Sequence, residues 1–182
     1  YRIKKKYLIM IIEQGSIHHL DELESLYDGL NDYLSATVNY PGWIKDVYPV
    51  RETARQGIEE ESLFVARENG VIAGSVILNH EPEEAYELAS WLVEADYKDI
   101  LVIRTLVVHP SFLKRQVGTS LMKFAEEYAV GRQMRSIRLD VSVNNVPGIS
   151  LYKKLGYRYV GTVDLGLPYE HLKWFQLYEL VL

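Results

Sequence analysis

The segment from Ile100 to Val108 constrains the fold of this chain more than any other feature, because it is apolar almost throughout. Only Arg104 and Thr105 interrupt it. A strand with this composition is buried on both faces, as the central strands of helix-covered sheets are. Pro110 ends the segment, and apolar residues then recur at helical spacing from Val117 to Gly131. We therefore predict a central strand followed by a helix in an α/β fold.

Periodic patterns place further elements on both sides of this strand. Asn69-Gly70 separates two apolar runs and favours a tight β-hairpin, because both residues readily adopt positive φ. The segment from Ile137 to Val143 alternates apolar and polar residues, which predicts a half-exposed strand. Asn145 is predicted to cap a short helix that stops at Gly156. The predicted strands are 10–13, 63–67, 71–78, 100–108, 137–143, 157–162 and 174–182, and the predicted helices are 17–35, 51–61, 117–131 and 145–155.

This order of elements is typical of one mixed α/β sheet with helices on its faces. The 182 residues suit a single domain spanning 1–182. Residues 1–9 are expected to be an extension upstream of a natural start at Met10. The long connection from His80 to Lys98 is predicted to hold a helix around residues 83–91, and connections of this length are often functional.

The composition excludes several classes of function. There is no cysteine, so disulfides, thiolate metal sites and thiol nucleophiles are excluded and a cytoplasmic location is expected. The 20 basic and 25 acidic residues give a net charge of −5, which does not suggest a nucleic-acid-binding protein. No apolar run reaches the roughly 18 residues that span a bilayer, and residues 7–12 are interpreted as a strand rather than a secretion signal. His18 and His19 point in different directions on a helix, so no metal site is predicted.

The turn that follows the central strand is suited to binding phosphate. The first N–H groups of a helix lack partners and carry a partial positive charge, and phosphate groups bind there readily. Lys114 and Arg115 add positive charge, and Gly118 lets a ligand approach the first turn closely. An ordinary turn with solvated basic side chains would contain the same residues, so this segment alone leaves both interpretations open.

A second segment carries a more specific pattern. Asn145, Tyr152, Gly156 and Tyr157 have the spacing of the helix pattern Asn-x-x-Ala-x-x-x-Tyr-x-x-x-Gly-Phe, with Gly148 in the Ala place. In this pattern the sequence resembles the GCN5-related N-acetyltransferases (GNAT), which move an acetyl group from acetyl-CoA to an amine.

The phosphate turn resembles the same family. Val108 and Pro110 match the Val-x-Pro strand end, and Gly118 matches the last glycine of Gln/Arg-x-x-Gly-x-Gly/Ala. Leu113 stands where Gln or Arg is usual, and Gln116 stands in the place of the first glycine. The resemblance covers residues 100–160 well and implies a mostly antiparallel central sheet, splayed open between two strands and flanked by about four helices.

The resemblance also implies a site for acetyl-CoA. The turn 114–119 would hold the pyrophosphate, and the backbone of 106–108 would pair with the pantetheine arm. The cofactor-binding residues implied in this way are Leu106, Val107, Val108, Lys114, Arg115, Gln116, Val117, Gly118, Thr119, Asn145 and Tyr152.

Two catalytic roles follow from the resemblance. Tyr152 would protonate the departing thiolate, for which its ordinary pKa near 10 is suited. The backbone N–H of Val107 or its neighbour would stabilise the developing oxyanion. The chain has 14 tyrosines, so a simply packed aromatic is the alternative interpretation of Tyr152.

The acceptor is expected to be an amine of a small molecule or peptide. Its binding residues are expected to be Trp43, Tyr48, Asn79, Glu81 and Arg104, although packing and ion pairing would explain the same residues. Glu81 is a candidate general base, because no carboxylate lies within 100–108. The final strand 174–182 is apolar enough to pair with a second subunit in a homodimer, but an internal sheet position explains it equally well.

The whole pattern predicts an N-acetyltransferase that acts by direct transfer in a ternary complex, because neither a cysteine nor a recognisable activated serine is available for a covalent intermediate. One alternative is a non-catalytic acyl-CoA-binding or regulatory module on the same fold. Another is a protein that binds nucleotide phosphates at the same helix N-terminus.

Overall fold

Seven strands form one sheet in the computed structural model, which describes residues 10–182. The expected extension, Tyr1–Ile9, lies outside the described residues. The strands are β1 (Met10–Gln14), β2 (Leu63–Glu68), β3 (Val71–Asn79), β4 (Ile100–Val108), β5 (Ser136–Ser142), β6 (Arg158–Asp164) and β7 (Trp174–Val181). Their order across the sheet is β1-β2-β3-β4-β5-β7-β6, and only β4 and β5 run parallel.

Within the described residues, four α-helices cover the sheet. They are α1 (Leu20–Ala36), α2 (Arg51–Glu59), α3 (Val117–Gly131) and α4 (Val146–Lys154). One buried cluster lies between the sheet and α3 and α4, and another lies between the sheet and α1 and α2. The predicted mixed, mostly antiparallel α/β sheet with four helices is confirmed.

The local signals of the sequence act as expected at two turns. Asn69 and Gly70 have φ angles of 53° and 79°, as a tight hairpin turn requires. Gly156 ends the α4 region with φ of 90°, a conformation that glycine adopts without steric cost.

The connection between β3 and β4 differs from its prediction. In place of a helix over 83–91, only Glu84–Leu88 forms a short 3-10 turn. The connection as a whole lies across β5 and β7. Its residues Tyr86 and Val93 are buried there. As a result, β5 is not half exposed: its polar residues Arg138 and Ser142 are only 3% and 5% exposed.

A buried ion pair fixes this connection to the sheet. Arg138 Nε on β5 lies 3.1 Å from Glu179 Oε1 on β7, and Glu179 is fully buried. Glu179 also accepts hydrogen bonds from the Ser136 hydroxyl at 2.7 Å and from the Leu92 N–H at 2.5 Å. Arg138 donates to the Tyr97 hydroxyl at 2.9 Å. The buried guanidinium of Arg138 is therefore bound both by β7 and by the connection.

The final strand lies inside the sheet. β7 pairs with β5 on one side and with β6 on the other. The suggestion that this strand pairs with a second subunit is therefore wrong, because both of its edges are already used within the chain. A single-domain organisation and a homodimer remain untested predictions.

Removal of the Glu179 charge should destabilise the fold strongly. Glu179→Gln leaves the Arg138 guanidinium buried without its counter-charge, a change that typically costs about 3–5 kcal/mol. Urea unfolding measures the loss. The matched control is Asp164→Asn, since Asp164 pairs with Lys173 at 3.7 Å in an exposed position, where we expect a loss below about 1 kcal/mol. Equal losses in both variants would contradict a structural role for the buried pair.

Candidate active site

The sheet opens between β4 and β5. Their parallel ladder contains only three residue pairs, from Ile100–Ser136 to Val102–Arg138. β4 nevertheless continues to Val108 and β5 to Ser142. The two strands therefore separate beyond the third pair, and this opening is called the split below.

Backbone N–H groups of β4 face the split. The N–H of His109 donates to the carbonyl of Ala73 on β3 at 2.8 Å. Since successive N–H groups of a strand alternate in direction, the N–H of Val107 also points towards β3. The N–H groups of Leu106 and Val108 then point towards the split. Among the oxyanion donors suggested by the sequence, the geometry thus favours the two neighbours of Val107 over Val107 itself.

A bulge shapes β4 beside the split. Ser75 pairs with Val107 and Ile77 pairs with Arg104, so β4 has one residue more than β3 over this stretch. Thr105 lies in the bulge with φ of 49°, an uncommon conformation for a β-branched residue. Its hydroxyl is hydrogen-bonded to the Tyr48 hydroxyl. Strain of this kind often occurs at functional sites.

The predicted phosphate turn presents free backbone N–H groups. The first bond within α3 runs from Ser120 N–H to the Gln116 carbonyl at 2.9 Å. The N–H groups of Val117, Gly118 and Thr119 precede this bond, so they have no partner within the helix. No acidic residue occupies the first turn. The turn is therefore open to an anion.

Two residues of the turn adopt left-handed backbone conformations. Lys114 has φ of 60° and Gln116 has φ of 63°. Glycine adopts this conformation without steric cost, which explains why the resembled family has glycine where this chain has Gln116. Gln116 thus adopts the left-handed conformation that favours glycine, although it is not a glycine.

Gly118 leaves room beside the split. A Cβ atom there would lie 3.5 Å from Leu151 and 3.6 Å from Val108, which are ordinary contact distances. The protein's own packing therefore does not require glycine at this position. The same distances show that the start of α3, the end of β4 and helix α4 meet at one place.

The Arg115 side chain is directed to another partner. Its guanidinium is ion-paired with Glu68 on β2, which is buried, and lies 4.9 Å from the ring centre of Phe112. The expected extra positive charge at the turn therefore comes from Lys114, which is exposed, rather than from the Arg115 side chain.

Helix α4 begins as the sequence predicts and carries Tyr152 into the core. The Asn145 side chain accepts a hydrogen bond from the Gly148 N–H at 3.1 Å, which caps the helix. Tyr152 is 8% exposed and packs against Tyr157 and Tyr178. Burial, and to a smaller extent the charge of Asp140, raises the pKa of Tyr152 well above its ordinary value of 10.0. Tyr152 therefore stays protonated at neutral pH.

The expected acceptor residues are close to the β4 bulge. The ring centres of Trp43 and Tyr48 lie 5.6 Å apart, and Tyr48 contacts Thr105. Arg104 Nε donates to the Glu81 carbonyl at 3.3 Å, and Asn79 accepts from the Glu81 N–H at 3.1 Å. The Glu81 residue is exposed, so the structure adds no support for its role as a base.

Sequence reasoning missed the polar cluster opposite the bulge. Asp140 on β5 accepts a hydrogen bond from the Tyr86 hydroxyl at 2.7 Å, and Arg104 pairs with Glu83 at 2.7 Å. Burial raises the pKa of Asp140 from 3.8 to about 6, although the Tyr86 hydrogen bond and the Arg104 charge oppose the rise. The alternating pattern of β5 places Asp140 on a polar face, which is typical of a solvent-exposed residue. Nothing in that pattern shows that residues 80–99 cover this face.

Comparison with known proteins shows the family. The sequence model of the acetyltransferase (GNAT) family matches residues 23–157. The chain belongs to the GNAT family. An uncharacterized N-acetyltransferase of Methanocaldococcus jannaschii is 30% identical in an alignment 137 residues long, which covers 71% of this chain and 57% of that protein. The match thus covers little more than half of that relative.

Solved acetyltransferase structures have the same fold. A GNAT-family acetyltransferase from Streptococcus agalactiae superimposes with a TM-score of 0.76 at 21% identity, covering 97% of this chain and 98% of that chain. A putative acetyltransferase from Salmonella typhimurium, solved with its cofactor acetyl-CoA, gives a TM-score of 0.68 at 14% identity, with coverage of 94% and 93%.

Residues 10–182 of this GNAT chain contain neither a membrane-spanning helix nor a cluster of metal ligands. No helix there has the length and apolar character needed to cross a membrane. No group of three or more potential metal ligands occurs in the same range.

The left-handed conformation of Gln116 predicts that a glycine at this position stabilises the protein. Gln116→Gly relieves the left-handed conformation and should raise the free energy of unfolding by up to about 1 kcal/mol, because the strain removed slightly exceeds the entropy that glycine adds to the unfolded chain. Gln116→Ala removes the same side chain without that relief and should give no gain. Urea unfolding of the two variants compares them. A gain with alanine equal to that with glycine would contradict the role of the backbone conformation.

The raised pKa of Asp140 predicts that the free energy of unfolding depends on pH. Its carboxyl has a folded-state pKa of about 6, above the ordinary 3.8. The folded form thus binds a proton that the unfolded form loses between these values, and stability falls as pH rises through that window. Asp140→Asn removes this cost, so its free energy of unfolding should exceed that of the wild type at pH 7.5. The advantage should vanish below pH 3.8. The same difference at both pH values would contradict the raised pKa.

Proposed function

We propose that this protein is an acetyl-CoA-dependent N-acetyltransferase that transfers acetyl to an amine of a small molecule or peptide in a ternary complex. The observation that carries the proposal is the junction of the split with the open turn of α3. The turn contributes the free N–H groups of Val117 to Thr119. The split contributes the unpaired N–H groups of β4. The donor is the acetyl thioester of coenzyme A, which the solved Salmonella relative binds as its cofactor.

The described residues fit the parts of acetyl-CoA. The N–H groups from Lys114 to Thr119 bind the pyrophosphate, assisted by the start of α3 and the Lys114 charge. Leu106 and Val108 offer backbone groups to the pantetheine arm, as a neighbouring strand would. Gly118 keeps the first turn free of a side chain, which fits close approach of a ligand. Asn145 contributes by capping α4 next to this site.

The same residues support the chemistry of acyl transfer. The N–H of Leu106 or Val108 points to the position where the thioester oxygen gains negative charge, and such a donor typically contributes about 3 kcal/mol. Tyr152 holds a proton for the departing thiolate. Direct attack by the amine is favoured, because the chain has no cysteine nucleophile. A cytoplasmic location remains a prediction from the sequence.

Release of CoA tests the proposal. The protein is incubated with acetyl-CoA and, separately, with spermidine, kanamycin and a peptide with a free N-terminal alanine, and free thiol is followed with a thiol reagent. Thiol that appears only with an amine, together with an acetylated product in the mass spectrum, is the expected result. Saturable acetyl-CoA binding without amine-dependent thiol would favour the non-catalytic binding module instead.

Tyr152→Phe should separate chemistry from binding. It removes the proton donor but keeps the ring, so kcat should fall at least hundredfold while the acetyl-CoA Kd changes less than threefold. Calorimetric titration gives Kd, and thiol release gives kcat. Tyr157→Phe is the control, since Tyr157 is an equally buried neighbour whose hydroxyl has no hydrogen-bond partner; it should retain kcat. An unchanged kcat in Tyr152→Phe, or parallel losses of kcat and affinity, would rule out the acid role.

A further inference from the structure

Asp140 lies at the point where the sheet opens. The last pair of the β4–β5 ladder is Val102 with Arg138, and two residues further along each strand are Arg104 and Asp140. Partners in a parallel pair direct their side chains to the same face, and every second residue repeats that face. Arg104 and Asp140 therefore stand on opposite sides of the mouth of the split, on one face of the sheet.

This face is opposite the one that α3 and α4 cover. Leu139 and Val141 flank Asp140 in the chain, and both belong to the core beneath those helices. The cofactor turn lies at the start of α3, so a donor bound there reaches the split from the α3 side. A second substrate that meets Asp140 reaches the split from the other side. The two substrates can thus approach one another through the opening.

Asp140 retains the capacity to bind a ligand. Its Oδ2 accepts the Tyr86 hydroxyl, and no hydrogen bond from the described residues reaches Oδ1. Arg104, whose charge acts on Asp140, is bound to Glu83 at 2.7 Å rather than to Asp140. The titratable or charged groups that influence Asp140, or are influenced by it, are Tyr48, Glu83, Tyr86, Arg104 and Tyr152.

The electrostatic environment of this mouth favours a cation. Glu81 and Glu83 lie on the segment that supplies Tyr86, and both contact Arg104, Glu81 through its carbonyl and Glu83 through its carboxylate. A cleft with acidic walls raises the local concentration of positively charged ligands. Two cations lie on this face, and each is already paired: Arg104 with Glu83 and Arg138 with Glu179.

We propose that Asp140 binds the ammonium group of the acceptor and serves as its general base. This inference rests on the proposed acetyl transfer. It also narrows the acceptor to an amine that is protonated in solution, carried by a cationic small molecule or peptide.

The proton balance is complete with Asp140 and Tyr152. The carboxylate takes one proton from the ammonium group, which frees the nitrogen lone pair. Nitrogen then bonds to the acetyl carbon, and the carbon–sulfur bond breaks. Sulfur receives the Tyr152 proton, and Tyr152 regains the proton that the nitrogen gives up as the amide forms. Asp140 releases its proton to water, so the net products are the amide, CoA thiol and one proton.

The ionisation of Asp140 suits this role. Its pKa of about 6 leaves it ionised at neutral pH, yet makes it a stronger base than an ordinary aspartate. Glu81, the base suggested by the sequence, is exposed to solvent.

Asp140→Asn tests the inference, because the amide oxygen can still accept the Tyr86 hydrogen bond. The acceptor is whichever panel amine gives the highest wild-type rate. Its kcat/KM at pH 7.5 should fall at least hundredfold in the variant, with the acetyl-CoA Kd changed less than threefold. Binding of the same amine to the complex with CoA, where no turnover occurs, should weaken at least tenfold in calorimetry. Asp164→Asn, which changes a carboxylate of β6 outside the split, should leave all three quantities unchanged.

A neutral nucleophile separates base catalysis from a structural effect. Hydroxylamine is mostly unprotonated at pH 7.5 and needs no base to free its lone pair, so its kcat/KM should fall less than tenfold in Asp140→Asn. An equal hundredfold loss with hydroxylamine would overturn the base role, as would a loss below tenfold with the cationic acceptor. If wild-type protein releases thiol with none of the amines, the proposed function itself fails. Transfer that survives in Asp140→Asn would refute only the assignment of Asp140.

Discussion

The site depends on the early end of the parallel ladder between β4 and β5. Three residue pairs hold the two strands together, and beyond them each strand loses its partner on one side. Unpaired backbone groups inside a protein are costly unless a ligand, water or side chain satisfies them. The opening is therefore both a gap in the sheet and a set of hydrogen-bonding groups available to a ligand. The α3 turn, α4 and the β3–β4 connection are all arranged around it.

Much of the fold was predictable, because local signals and burial agree along most of the chain. The apolar run of β4, the Asn69-Gly70 turn and the Asn145 cap each determine local structure through short-range physics. The β3–β4 connection was not predictable in the same way. Its shape depends on a buried ion pair between Arg138 and Glu179, two residues 41 positions apart. In the sequence, Arg138 occupies a polar position of an alternating strand, which is also typical of a solvent-facing residue.

The candidate site was also predictable only in part from the sequence. The turn, Asn145 and Tyr152 follow short motifs, so their positions in the chain were visible. The direction of the β4 N–H groups depends on pairing with β3, and the Arg115 partner comes from β2. Asp140 becomes a candidate only when the strands separate beside it and Tyr86 covers it. Tertiary contacts thus decide which groups of the site are free to act.

Thermal unfolding with acetyl-CoA, CoA, ATP and no ligand tests most directly whether the split and turn form a coenzyme A site. A ligand at about 100 times its Kd adds roughly 2.7 kcal/mol of stability, which corresponds to a rise in Tm of about 5–10 °C for a chain of this size. A rise with acetyl-CoA and CoA but not with ATP is the predicted result. No rise at millimolar acetyl-CoA, or an equal rise with ATP, would contradict the account.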